Sequence, residues 1–515
     1  MIGTSSIYCT NPMFGCVLFS LIGLLGAAAG PPSIAIDGRF DDWAGIEPAL
    51  IDPADARGEP VDLGELRLTS DGRFVHLLVD FGRTVNIQKL EGTVHIVLDV
   101  DGNRSTGQLT FGLSGADLDI ILSPDAPPGH SRRPGGVKLV STIDPANDPF
   151  PEAQRLNPYD IGFTFGPTYA SRQFEFRIGR GAKLAGIPTV LASGRMQGKI
   201  VCTDPQGNII DQTAAFGSDL TPLRIAEQTG TAQIPARIPG ALRIMSWNAD
   251  KSLFDNPERF VRVLAAIDPD VILLQELTDR DSAAQLELLL NRPRPAEGLN
   301  KWTVAFGAGG GNLRCAVASK LPLQAAEPFQ LLPYPFWRDQ SLRVAGAVIE
   351  TANKRLLCVS IHLRCCGRAG GREDFIRGLE AEVIRERLQA MVERDSFDGV
   401  IVAGDFNLVG SRRPLDLLTS RLDITGLSLI EAEPYQLDSL SNATWSDRKQ
   451  PLVPGRLDYL LFSNNAVALR STFVLDARDL DPDALHRLGL RSDDTASASD
   501  HFPVVADVQW TVPEP

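Results

Sequence analysis

Hydrophobic and polar positions follow different periods in the two halves of this chain. Between residues 65 and 81, ELRLTSDGRFVHLLVDF alternates apolar and polar positions around an Asp71-Gly72 turn, which predicts a β-hairpin. VHIVLDV (94–100) and RQFEFRI (172–178) predict further strands. Long helical periodicities are scarce there, so the first half predicts an all-β sandwich. From residue 241 strands and helices interleave. LRIMSWN (242–248) predicts a strand, and PERFVRVLAAI (257–267) a helix with Phe260, Val263, Leu264 and Ile267 on one face. VILLQEL (271–277) reads as a buried strand. EDFIRGLEAEVIRERLQAMVER (373–394) predicts a long helix with Ile376, Leu379, Val383 and Met391 on its apolar stripe and its charges elsewhere. VIVAGDFN, RLDYLLFS and PVVADVQW complete an α/β body of strands that begin or end at polar residues.

These patterns divide the chain into a leader (1–29), a β-sandwich (30–228), a linker (229–240) and an α/β body (241–512). The linker is expected because that stretch mixes Pro, Gly, Thr and Ala without periodicity. Residues 13–29, MFGCVLFSLIGLLGAAA, form one apolar run that ends in small residues, as a cleaved export signal does. The alternative is a retained anchor, since no Lys or Arg precedes the run, although it is short for a membrane span. Export makes the expected location secreted, periplasmic or cell-surface.

Composition narrows the partners. The formal net charge is −14, and neither half carries a basic excess, which speaks against tight duplex binding through phosphate contacts alone. It leaves room for an enzyme that meets a phosphodiester through a metal. The cysteines are Cys9, Cys16, Cys202, Cys315, Cys358, Cys365 and Cys366. They have no zinc-site spacing. Cys358 reads as a buried thiol, and adjacent Cys365 and Cys366 as the oxidisable pair, with Cys315 as a further partner.

Candidate chemistry sits at the strand ends. SWNAD offers Asn248 and Asp250, LLQEL offers Glu276, SIHL offers His362, and AGDFN offers Asp405 and Asn407. RLDY offers Asp458, and SDHF offers Asp500 and His501. Alone, each has an ordinary reading as a cap, a solvated strand end, a core histidine or a salt bridge. Together they form a hard-cation donor set with acid–base partners, because charges placed beside apolar runs are costly unless paired or metal-bound.

The ordered series SWN, LQE, HL, GDFN, RLDY and SDH resembles the endonuclease/exonuclease/phosphatase superfamily, over residues 240–510. The resemblance implies an α/β four-layer sandwich, two mostly antiparallel sheets flanked by helices. It implies Glu276 as main ligand of Mg²⁺ or Mn²⁺, with Asn248 and Asp250 close by and Asp500 near the same or a second ion. It further implies His501, held by Asp458, at the scissile phosphate, Asp405 at the attacking water, and Asn407 and His362 as donors to phosphate oxygens. Arg343 is a further candidate for the phosphate, and Arg412-Arg413 for an anionic-substrate rim. The expected function is an exported, divalent-metal-dependent phosphodiesterase, foremost a nuclease. The alternatives are a phospholipid or sugar-phosphate phosphodiesterase or phosphatase, and a non-catalytic surface-binding protein on the same scaffold.

IAIDGRFDDWAGI (34–46), HIVLDVDGNRSTG (95–107) and GADLDI (115–120) resemble carbohydrate-binding family 9-like sandwich modules. That resemblance implies polysaccharide or another surface polymer as a partner, with Trp43 as the aromatic to carry it. Asp99, Asp101 and Asn103 alternate as in a calcium loop, so a structural Ca²⁺ is weighed there against an Asx-rich turn.

Overall fold

Strands buried on both faces must be apolar at every position, and strands with one wet face alternate; the chain uses both kinds. The computed structural model describes residues 34–123, 136–141, 155–184, 187–224, 230–292, 301–337, 339–395, 397–420, 428–450 and 452–511. The expected leader, with Cys9 and Cys16, lies outside the described residues. From Ser33 onward the chain forms one compact unit.

The upstream body is all-β. A five-stranded sheet orders Pro48–Ile51, Glu65–Ser70, Phe74–Val85, Ser171–Gly179 and Thr164–Gly166. It packs on a second sheet built around Arg195–Thr203, Thr93–Asp99 and Leu118–Leu122. Their inner faces share a core that includes Leu77, Phe81, Ile96, Ile120, Phe174 and Phe176. The predicted hairpin forms at Asp71, whose Oδ1 accepts from the Arg73 and Phe74 N–H groups at 2.6 and 2.8 Å.

The downstream body is a four-layer α/β sandwich. One six-stranded sheet orders Thr303–Phe306, Leu313–Ser319, Val271–Thr278, Leu242–Asn248, Val504–Trp510 and Val467–Val474. The other orders Leu323–Ala325, Arg343–Thr351, Lys354–His362, Gly399–Asp405, Asp458–Ser463 and Leu429–Glu431. Neighbours are antiparallel except Leu242–Asn248 with Val271–Thr278 and Lys354–His362 with Gly399–Asp405. Ile244, Leu273, Ala345, Cys358, Ile401 and Leu460 fill the space between the sheets. The alternate residues Met245, Trp247, Ile272 and Leu274 turn outward to pack with Phe260, Val263 and Ile267 of the helix Pro257–Ile267. Burial on both faces explains why these strands read as continuous apolar runs.

The long helix spans Arg372–Arg394. Its buried stripe runs through Ile376, Ala381, Ile384, Leu388 and Met391, while Leu379 and Val383 lie half-buried at its edge. The expected stripe is therefore rotated, because the helix also buries Asp374, Arg377 and Glu380. The expected linker, described from residue 230, is strapped to the α/β body. Ala232 N–H donates to the Asp479 carbonyl at 2.9 Å, and Ile234 packs into the outer helix layer.

Candidate active site

The inter-sheet core ends in a polar row. Register aligns Ala345, Ser360, Ala403 and Leu460 across neighbouring strands, and all are buried. Two residues further along, on the same face, register aligns Arg343, His362, Asp405 and Asp458. The strand ends thus convert an apolar layer into a line of ionisable groups. Gly404 permits the close approach: its φ is +147°, and a Cβ there would lie 1.9 Å from the Ile361 carbonyl oxygen.

The opposite sheet supplies the other half. Asn248 ends its strand beside Gln275. The next residue, Glu276, sits in a bulge between Leu274 and Leu277 with a left-handed φ of 54°. A bulge re-aims a side chain, and here it brings Glu276 to the row. Asp250 and Asn407 also adopt left-handed φ, 45° and 50°, a strained choice for non-glycine residues that clusters at functional sites.

The two halves meet. Asn248 Nδ2 donates to Asp405 Oδ2 at 3.2 Å and to Glu276 Oε1 at 3.4 Å, and lies 3.4 Å from His501 Nε2. Its oxygen accepts from the Asp250 N–H at 3.0 Å, so in this arrangement Asn248 ties the carboxylates together. His362 Nε2 lies 3.6 Å from Glu276 and 3.5 Å from Asp405. His501 Nδ1 pairs with Asp458 Oδ2 at 2.7 Å, and its Nε2 is 3.9 Å from Asp405 and 4.0 Å from Asp500. Asn407 Nδ2 donates to Asp405 Oδ2 at 2.7 Å and to the Leu363 carbonyl at 3.2 Å, which makes it an orienter of Asp405.

The histidines are held in opposite states. Burial pushes His362 down to about 3, with Arg343 adding to it, so its ring is neutral. Burial also disfavours the His501 imidazolium, but the Asp458, Asp405 and Asp500 carboxylates overcome it and raise it to about 10. Burial raises Asp405 well above the carboxylate range, and the neighbouring Asp458 and Glu276 charges reinforce it. Burial works the same way on Glu276, yet the Lys251 ammonium and the His501 imidazolium hold the group low. Asp250 rises to about 6 through burial and the Asp500 and Glu276 charges.

Three contributors were invisible in the strand-end pattern. Lys251 Nζ sits 2.8 Å from Glu276 Oε2. Thr444 Oγ1 donates to Asp458 Oδ2 at 2.7 Å. Trp445 Nε1 donates to Asp500 Oδ2 at 2.9 Å. Thr444 and Trp445 belong to a loop without periodicity. Lys251 adjoins SWNAD, but nothing in the pattern of that segment marks it as a partner of Glu276. Buried charges of the long helix hold the turn after His362: Arg377 donates to the Arg364 and Cys366 carbonyls at 2.6 and 3.1 Å, and Glu380 accepts from the Arg364 N–H at 2.6 Å.

The donor set fits a hard divalent ion. Glu276, His362 and Asp405 place ligand atoms within 4.8 Å of one another, as do Asp405, Asp458 and His501. Lys251 supplies a stand-in cation against Glu276, with the mutually repelling Asp250 and Asp500 alongside. The softer candidates fare differently. Arg343 lies directly across from His362. Arg412 is engaged with Asp416, Glu431 and the Tyr169 ring, so it does not form an open rim. Cys315 and Cys358 are buried free thiols between the sheets, and the Cys365 and Cys366 sulfurs lie 2.8 Å apart as free thiols.

In the upstream body Trp43 is 1% exposed and donates to Glu175 Oε2 at 3.1 Å, so it packs and offers no sugar platform. Asp99 and Asp101 do converge, but their third partner is Asp117, all within 4.8 Å. Asn103 instead accepts from the Ser105 N–H at 3.0 Å. One oxygen each of Asp99 and Asp117 is buried without a hydrogen-bond partner.

Residues 245–501 match the sequence profile of the Endonuclease/Exonuclease/phosphatase family. No curated protein matches the chain. Among solved structures, the human Nocturnin catalytic domain with bound sulfate is similar at 19% identity and TM-score 0.37, covering 54% of this chain and 97% of that one. D. rerio TDP2 complexed with a single-strand DNA product has 17% identity and TM-score 0.35, covering 52% and 99%. The 3′ phosphatase NExo from Neisseria, bound to a product DNA hairpin, has 20% identity and TM-score 0.36, covering 52% and 100%. Residues 245–501 are accordingly a domain of the Endonuclease/Exonuclease/phosphatase family, and the chain is a metal-dependent phosphoric-ester hydrolase.

Proposed function

We propose that this hydrolase cleaves nucleic-acid phosphodiesters with Mg²⁺ or Mn²⁺, as an exported enzyme. The observation that carries the reading is the convergence of Glu276, Asp405 and the His501–Asp458 pair on one rim. Glu276, Asp250 and Asp500 would hold the ion, which when bound neutralises phosphoryl charge and steadies the departing oxygen. Asp405, oriented by Asn407 and Asn248, is placed to take the proton of the attacking water once the charge of a bound ion favours its carboxylate form. The His501 imidazolium, fixed by Asp458, donates toward a phosphoryl oxygen as charge grows there. Neutral His362, with Arg343 across from it in the sheet, would supply further donors. Export rests on the apolar run at residues 13–29.

The test is hydrolysis of bis-p-nitrophenyl phosphate by the full chain with Mn²⁺, with and without EDTA. Glu276→Ala, Asp405→Ala and His501→Ala should each lose about 10²–10⁴-fold in kcat while remaining folded. Turnover like the parent in any of them rejects the assignment. A screen of single-stranded DNA, duplex DNA, RNA, sphingomyelin and inositol phosphates then decides the substrate; cleavage of lipid or sugar phosphates in preference to all nucleic acids overturns the nuclease reading.

We also infer a structural cation, of which Ca²⁺ is the natural choice, at Asp99, Asp101 and Asp117. Buried carboxylate oxygens without donors support it. Adding Ca²⁺ to chelated protein should raise Tm, and Asp117→Asn should abolish that rise. An unshifted Tm removes the inference.

A further inference from the structure

A cleft of about 550 Å³ opens beside the catalytic rim. One wall carries Asp250 and Asp500, whose charges act on one another beside Glu276. The other walls bring Arg259, Arg448, Lys449 and Arg478 together, with Asp447 as a further carboxylate in the lining. Four cations in one cleft stand out in a chain of net charge −14. Arg478 is paired with Asp476 at 2.5 Å and Arg448 with Asp160 at 3.2 Å. Arg259 donates to the Ser497 carbonyl at 3.1 Å, and neither it nor Lys449 has a carboxylate partner among the described residues.

The cleft is braced from outside the catalytic domain. Asn157 of the upstream sandwich donates to the Arg448 carbonyl at 2.9 Å, and the Ser446 hydroxyl bonds the Tyr159 hydroxyl at 3.3 Å. The Arg448 guanidinium lies 5.5 Å from the Tyr159 ring centroid. The same loop carries Trp445, whose indole holds Asp500. Sandwich, cationic wall and catalytic rim are thus joined by one loop.

Resting on the phosphodiesterase reading above, we propose that this cleft is a second phosphate-binding subsite, which takes the neighbouring phosphate of a nucleic-acid strand while the scissile phosphate lies at Glu276 and His501. Guanidinium and ammonium groups around a concave site favour a phosphate dianion or diester. The upstream sandwich then acts as a positioning element for substrate choice.

The experiment compares the full chain with Mn²⁺ on dTpdT, pdTpdT and dTpdTp, which share one scissile phosphodiester and differ by a terminal phosphate. One phosphorylated dinucleotide should show kcat/KM about tenfold above dTpdT, the effect of one charge-assisted contact. In Lys449→Glu, and separately in Arg259→Met, that ratio should fall toward one. A ratio unchanged in both variants overturns the subsite, as does equal cleavage of all three dinucleotides by the parent. Both of those outcomes leave the phosphodiesterase reading standing. Failure to cleave any of the three or bis-p-nitrophenyl phosphate overturns both.

Discussion

At the scale of single residues, environment matters more than identity. Two histidines at one rim, His362 and His501, differ in charge because the second has an acid directly behind it. The upstream body holds a parallel case. Glu175 is fully buried and accepts from the Asp37 and Gly38 N–H groups at 2.7 and 2.6 Å and from the Trp43 indole. Burial outweighs these donors and, with the Asp37 charge, pushes the carboxyl up from 4.5 to about 8. The folded protein therefore keeps this proton over a window in which the unfolded chain has lost it. Its contribution to stability is complete below about pH 4.5 and is lost as pH rises through about 8. Urea midpoints should fall across that window in the parent and fall less in Glu175→Gln. Equal slopes for the two proteins would show that Glu175 is ionised throughout, stabilised by its three donors.

At the scale of elements, the chain announced some things and concealed others. Strand ends were legible because a carboxylate or imidazole directly after an apolar run, as in LLQEL or SIHL, has few reasons to be there. Register could not be read, so the alignment of Arg343, His362, Asp405 and Asp458 emerged only from the sheet. Asp117 was missed as a partner of Asp99 because it lies just before Leu118–Leu122, a strand whose pairing with Thr93–Asp99 the sequence does not show. The long helix misled for a different reason. Its charges were expected away from the apolar stripe, yet Arg377 and Glu380 are buried and bind the turn after His362. Arg377→Ala would strand two carbonyls and should cost about 2–3 kcal/mol, read from urea unfolding. It should also lower kcat, because the turn carries His362. A change below about 0.5 kcal/mol, the range of neutral surface substitutions, would make this arginine a bystander.

At the scale of the whole molecule, the two bodies are joined by more than chain connectivity. Val453, from the catalytic half, is buried in the core of the upstream sandwich. Around it Thr168 Oγ1 donates to the Arg456 carbonyl at 3.1 Å, the Ala170 N–H to the Gly410 carbonyl at 2.7 Å, and the Asn442 amide to the Asp37 carbonyl at 2.8 Å. Domains joined only by a linker and a polar interface move and unfold separately. An apolar plug shared by both cores makes separation expose hydrocarbon, so the bodies should melt together. Intrinsic fluorescence and far-ultraviolet circular dichroism should therefore trace one coincident urea transition. Val453→Ala should lower its free energy by about 2 kcal/mol through lost burial and a residual cavity. Val453→Asp, which drives a charge into the sandwich core, should split the curve, with the sandwich unfolding first. Because Asn157 and Tyr159 of that sandwich brace the loop carrying Trp445, the same variant should lose phosphodiesterase activity at the first of the two transitions. Two separate transitions in the parent protein, with activity lost only at the second, would show that the catalytic body stands alone and that the sandwich is a passenger.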